Sequence, residues 1–167
     1  MSSKYVLRSV VLPNGDKRDI AIENGVISSI SQNFAPTSHV VIDANGSRVL
    51  PGLVDLHTHL REPGREDAET VLTGSRAGAK GGFTALSAMA NTSPVADTAG
   101  VVEQVYRLGQ EAGYLDVFPI GAVTKGLMGE SLSEIGAMAD SIARVRIFSD
   151  DGNCVFDPLL MRRALEY

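Results

Sequence analysis

Cysteine occurs once in 167 residues and tryptophan never. The single thiol, Cys154, excludes an intrachain disulfide and reads as a packing residue, since no histidine lies near it in sequence. Basic residues are outnumbered, 15 against 20 acidic ones for a net charge of −5, and they form no run. Nucleic acid and anionic membrane surfaces are thereby disfavoured as partners, and a small polar substrate is expected. Apolar runs are short, none approaching the roughly 18–20 residues that span a bilayer. The amino terminus, MSSKYVLRSVVLPNG, lacks a basic segment followed by an apolar one, so no secretory leader is read and a cytoplasmic location is expected. Repeats and low-complexity tracts are missing as well.

What remains is a chain that is 44% apolar, with glycine, alanine and valine spread throughout, and able to bury a core. Residues 1–50 hold short β-prone runs, YVLRSVVL, DIAIENG, VISSI and HVVIDANG, punctuated by Asn-Gly and proline turns: a small β domain. From 51 to 167 short apolar strands alternate with helical stretches, which calls for βα units on a parallel sheet. Strands are expected near Leu50 to Leu56, Phe83 to Met89, Val117 to Val123 and Val145 to Ser149. Asp97 or Thr98 can cap a helix with Val101, Val105 and Leu108 on one face, and Ser131 to Glu134 has capping-box spacing. Asp157-Pro158 opens a last helix, with proline where its missing N–H costs nothing. That helix, PLLMRRALEY, is expected to run through Tyr167, since no Gly, Asn or Pro stop signal precedes the end, and the chain reads as cut there. Gly78, Gly81 and Gly82 suit tight helix-to-strand turns, no phosphate-loop spacing being present.

The stretch VDLHTHLREPG, residues 54–64, concentrates the chemistry. Side chains two apart on a strand share a face, so His57 and His59 can reach one ion. Asp55 shares that face, and either orients one of them or caps a turn. By itself a His-x-His pair is equally a packed or surface pair.

PGLVDLHTHLREPG resembles the first-strand motif of the amidohydrolase superfamily, and its Arg-Glu-Pro-Gly tail that of the bacterial, type I dihydroorotases. MANTSP (89–94), GAVTKG (121–126) and FSDDG (148–152) follow in that family's order, so the resemblance covers essentially the whole chain. Hydantoinases and dihydropyrimidinases share the His-x-His strand but generally lack the arginine. The resemblance implies an α/β fold: the first half, about four βα units, of a metal-dependent (β/α)8 barrel preceded by part of a small β-sandwich domain. It also implies an activity, the reversible cyclisation of N-carbamoyl-L-aspartate to L-dihydroorotate in pyrimidine biosynthesis. One or two zinc ions would serve it, by lowering the pKa of bound water to about 7 and polarising the amide carbonyl.

Residue by residue, His57 and His59 match the family's first metal ligands. Arg61 matches the residue that holds the substrate carboxylate, a task for a planar, permanently charged fork; the alternative is a solvated arginine beside Glu62 or Glu66. Asn91 matches the amide that assists it, although Asn before Thr-Ser-Pro is also an ordinary turn. Asp151 is preferred as the ligand from FSDDG, with Asp150 the alternative because strand alternation ends there. Lys125, as a carboxylated lysine, ranks below both, and His39 reads as structural or exposed. The family's two later histidines and its proton-shuttling aspartate have no counterpart in 167 residues. The catalytic base is therefore expected beyond Tyr167, and the chain resembles an amino-terminal portion that is inactive alone and relies on the remainder of the barrel. A homodimer or aspartate transcarbamoylase are further partners the resemblance allows. Another cyclic amidohydrolase, a hydantoinase or allantoinase, and a non-catalytic scaffold for the transcarbamoylase are the rival readings.

Overall fold

The computed structural model describes residues 3–167, which divide into two compact units between Pro51 and Gly52. The first is one four-stranded sheet made of β1 (Lys4–Val11), β2 (Lys17–Glu23), β3 (Val26–Ser31) and β4 (Val40–Asp43), in the order β3-β2-β1-β4. β1, β2 and β3 pair antiparallel and β4 runs parallel to β1. Asn24 and Gly25, both at positive φ, make the two-residue turn that the Asn-Gly pair predicts. The register of β1 slips between Leu7 and Val10, where Ser9 sits at φ +59. Asp19, 7% exposed, holds this bulge: its carboxylate accepts from Ser9 N at 3.0 Å and from Phe34 N at 3.1 Å. The Ser9 N–H, and burial working against it, set the Asp19 carboxyl below its usual value. Val6, Val10, Ile20 and Ala21 form the core, and His39 is structural, its ring edge-on to Phe34 with Nε2 3.1 Å from Glu23 Oε1.

The second unit carries a three-stranded parallel sheet, β5 (Leu53–Thr58), β6 (Phe83–Ala88) and β7 (Asp116–Pro119), in that order. Two crossover helices connect them, α1 (Val71–Lys80) and α2 (Ala99–Ala112). Leu60, Val71, Leu86, Ala88, Val105 and Val117 pack between sheet and helices. Two further helices follow, α3 (Ile135–Asp140) and α4 (Pro158–Glu166). α1 opens on a capping box made by Thr70 and Thr73, and α4 on Asp157, whose carboxylate accepts from Leu159 N and Leu160 N. No helix among the described residues is long and apolar enough to cross a membrane.

Several expectations need correction. Val145 to Ser149 does not form a strand; it meets the sheet through one parallel bridge, Gly121 to Phe148. Ile120 N donates to Ala88 O, so Pro119 turns its N-less side toward this segment and removes a ladder donor. The buried stripe of α2 is Val102, Val105 and Gly109, one step round from Val101 and Leu108, because the helix approaches β7 at Gly109, where a Cβ would lie 2.6 Å from Val117 Cβ. Ser131 to Glu134 makes no capping box. Ser133 spends its hydroxyl on Ala122 O and its N–H on Val123 O, and α3 begins only after Glu134. The last helix, expected through Tyr167, has Glu166 as its final residue. Tyr167 caps it, donating its N–H to Arg163 O at 3.0 Å, and its hydroxyl lies over Gly136 of α3, where a Cβ would come within 2.5 Å of it. Cys154, three residues after Asp151, is exposed and so is not the packing residue expected.

Candidate metal centre

β5 delivers His57 near its end, and His59 follows one residue beyond it, the ring centroids 5.1 Å apart and nearly perpendicular. Two bonds stitch this end of β5 to β6: Thr58 Oγ1 donates to Ser87 O at 2.9 Å, and Met89 N to Thr58 O at 2.8 Å. Asp55 makes no bond to an imidazole; its Oδ1 accepts from His57 N at 3.0 Å, the local backbone cap that is the other expectation, where the β5–β6 register is irregular.

The adjacent aspartates 150 and 151 have different partners. Asp150 is 4% exposed, and its Oδ1 accepts from Val123 N at 2.8 Å and Thr124 N at 3.0 Å, while Oδ2 accepts from the Thr124 hydroxyl. Those three bonds tie that carboxylate to the loop after β7, and it is not among the groups that converge with the histidines. Asp151, turned to φ +55, points the other way and sets Oδ1 3.1 Å from His57 Nε2. One nitrogen from each histidine and one Asp151 oxygen lie within 4.8 Å of one another.

Such a donor set fits a divalent transition metal. With ligand bonds of about 2.0–2.1 Å, a tetrahedral edge is roughly 3.3 Å, close to the His57–Asp151 separation. Imidazole and carboxylate donors suit zinc among other first-row metals. Lys125 is exposed on the short turn Lys125–Leu127. Tyr167 is exposed at the end of α4.

Arg61 lies two residues beyond His59, and no described residue pairs with its guanidinium. Its two acidic neighbours are engaged elsewhere: Glu62 Oε2 accepts from Val71 N and Glu66 Oε1 from Gly64 N, both at 2.8 Å. The Glu66 carboxyl is lowered by that Gly64 N–H. The Arg61 turn is fastened to the loop after β6, since Ser93 N donates to Pro63 O at 3.0 Å. That loop carries Asn91, whose Oδ1 is 3.0 Å from His59 Nδ1 and whose Nδ2 donates to Asp151 Oδ2 at 2.8 Å. The sequence indicated no such bridge, nor the loop-holding part played by Asp150. Contacts across 60 and 27 residues leave no local pattern. An apolar groove of about 440 Å³ runs elsewhere along the sheet, past Val54, Leu56, Phe118 and Val145, and contains none of these polar groups.

Residues 46–166 match the family described as dihydro-orotase-like. The chain belongs to the dihydroorotase-like family. Relatives of this dihydroorotase-like chain include the dihydroorotases of Leifsonia xyli, 63% identical over 98% of the chain, and of Streptomyces coelicolor, 60% identical over 99%. The chain spans 37% and 39% of the length of these two proteins. Among solved structures, the L-hydantoinase of Arthrobacter aurescens matches 76% of the chain and 29% of its own length, with a TM-score of 0.62 and 24% identity. A crystal structure of a dihydroorotase matches 88% of the chain and 42% of its own, with a TM-score of 0.59 and 12% identity. Likenesses at such low identity speak for the fold alone: the chain shares the α/β fold of part of each of these structures.

Proposed function

We propose that this chain supplies one side of the active site of a zinc-dependent dihydroorotase, which interconverts N-carbamoyl-L-aspartate and L-dihydroorotate. The observation that carries this reading is the convergence of His57, His59 and Asp151, with Arg61, two residues beyond His59 in the chain, left without a side-chain partner among the described residues. The names of the relatives agree with it. The activity is proposed for the polypeptide of the relatives' length, with the remaining barrel strands completing the site.

His57, His59 and Asp151 would hold the cation, in the roles the sequence motifs suggest. When bound, the cation activates water and polarises the ring amide carbonyl. Arg61 binds the substrate carboxylate through charge-assisted, bidentate hydrogen bonds and so orients the ring against the metal site. Asn91 assists with the amide N–H that Asp151 leaves free. A hydantoin-type substrate without a carboxylate has no use for Arg61, which favours dihydroorotate over the hydantoinase reading.

The test is ring opening of L-dihydroorotate by the full-length protein, before and after chelation and with zinc restored. Loss on chelation and recovery with zinc are expected. A protein that binds no zinc, turns over no dihydroorotate and instead holds aspartate transcarbamoylase tightly would establish the scaffold reading in its place.

A further inference from the structure

Asn91 touches two of the three candidate ligands at once, and chemistry dictates which way its amide faces. An ionised carboxylate only accepts hydrogen bonds, so the group 2.8 Å from Asp151 Oδ2 has to be the NH2 end. The Oδ1 end is then left 3.0 Å from His59 Nδ1, and since an amide oxygen only accepts, that ring nitrogen carries the proton. The neutral His59 ring is thereby held as the Nδ1–H tautomer, with the lone pair on Nε2. At the other end the amide holds one Asp151 oxygen, while the second lies beside His57.

We propose that Asn91 is a positioning residue for the metal centre: one amide sets the tautomer of His59 and the orientation of Asp151. The inference rests on the metal-site reading above, and it goes beyond the substrate-carboxylate role that the sequence motif suggests for Asn91. The two tasks are compatible, because the amide nitrogen has a second N–H. They also link substrate to metal, since an anion drawing on that second N–H pulls on the group that orients both ligands. Partners that hydrogen-bond to metal ligands typically account for about 10–100-fold in metal affinity.

The experiment compares the full chain with its Asn91→Ala and Asn91→Asp variants in two measurements: the zinc dissociation constant, by competition with a chromophoric chelator, and the His59 tautomer in the metal-free state, from its ring-nitrogen chemical shifts. In Asn91→Ala, zinc binding is expected to weaken about 10–100-fold and His59 to lose its fixed tautomer. Asn91→Asp keeps an acceptor toward His59, so Nδ1–H is expected to persist there, while the second carboxylate repels Asp151 and is expected to turn it out of place. Should the alanine variant fail to fold, the aspartate variant decides by that persistence. Unchanged zinc affinity and tautomer in Asn91→Ala, or loss of the tautomer in Asn91→Asp, would overturn the proposal. A wild-type chain that binds no zinc would instead remove the metal-site reading on which it stands.

Discussion

Replacing Asp150 by asparagine separates the two adjacent aspartates more sharply than any other change. The substitution preserves shape but removes the charge from an acceptor of two buried backbone N–H groups and one hydroxyl. Hydrogen bonds to a charged acceptor are each stronger than neutral ones by about 1 kcal/mol. The Thr124 hydroxyl, which already accepts from Gly129 N at 2.9 Å, would meet an amide N–H in place of an oxygen and lose the acceptor for its own proton. Together these losses come to about 3 kcal/mol, or roughly 6–12 °C in melting temperature for a chain of this size. Zinc affinity should change by less than about threefold, because the Asp150 carboxylate faces the loop. Asp151→Asn should do the reverse. Asparagine tolerates the left-handed backbone at φ +55, so stability should shift by less than about 1 kcal/mol. Loss of the anionic donor should weaken zinc binding by at least about 100-fold, more than the loss of an outer hydrogen-bond partner does. Thermal unfolding and zinc titration of both variants are the assay. If Asp150→Asn abolished zinc binding while leaving the melting temperature in place, the assignment of the two aspartates would be reversed.

Arg61→Met in the full-length enzyme should raise KM for dihydroorotate about 10–100-fold, the worth of a charge-assisted pair, and leave a neutral hydantoin-type substrate unaffected; steady-state kinetics on both substrates check this. Gly64→Ala should destabilise the second unit by about 2–5 kcal/mol in urea denaturation, because Gly64 sits at φ +107 and a Cβ there would collide with the Ser93 carbonyl. The first unit should lose stability in acid through Asp19. Its folded pKa lies below the ordinary 3.8, so the stabilisation is fully present above that value and disappears as pH falls through the depressed one. Asp19→Asn should flatten that part of the pH profile, measured by unfolding midpoints between about pH 5 and 2.

The sequence was most legible where a local rule governs. The alternation of short apolar strands with helical stretches located β6, strand periodicity paired the two histidines at and just beyond the end of β5, Asn-Gly marked a tight turn, and Asp157-Pro158 opened α4. It was least legible where partners are distant. Nothing near Ser131 reveals that Ser133 would be drawn to Ala122 and Val123, which undoes the capping box. Hydrophobic patterning passes over glycine, so it missed the closest approach of α2 to β7 at Gly109. The choice between Asp150 and Asp151 needed the backbone: Asp151 stands at positive φ, outside any strand alternation, while Asp150 is drawn to Val123 and Thr124. The segment after α3 joins the sheet by a bridge and not by a ladder, next to Pro119, which has no N–H to give.

The His57, Asn91 and Asp151 contacts draw together the end of β5, the loop after β6 and the segment that bridges to Gly121, stretches as far as 94 residues apart in the chain counted from His57 to Asp151. An ion seated among these groups would act as a thermodynamic cross-link, engaging a set of donors that the unfolded chain does not hold in place. At a free concentration about one hundred times its dissociation constant it would add about 2.7 kcal/mol to folding. Cellular metal supply would then influence how much of the protein survives proteolysis as well as how fast it works, and a shortage would register first as a lower steady-state amount of polypeptide.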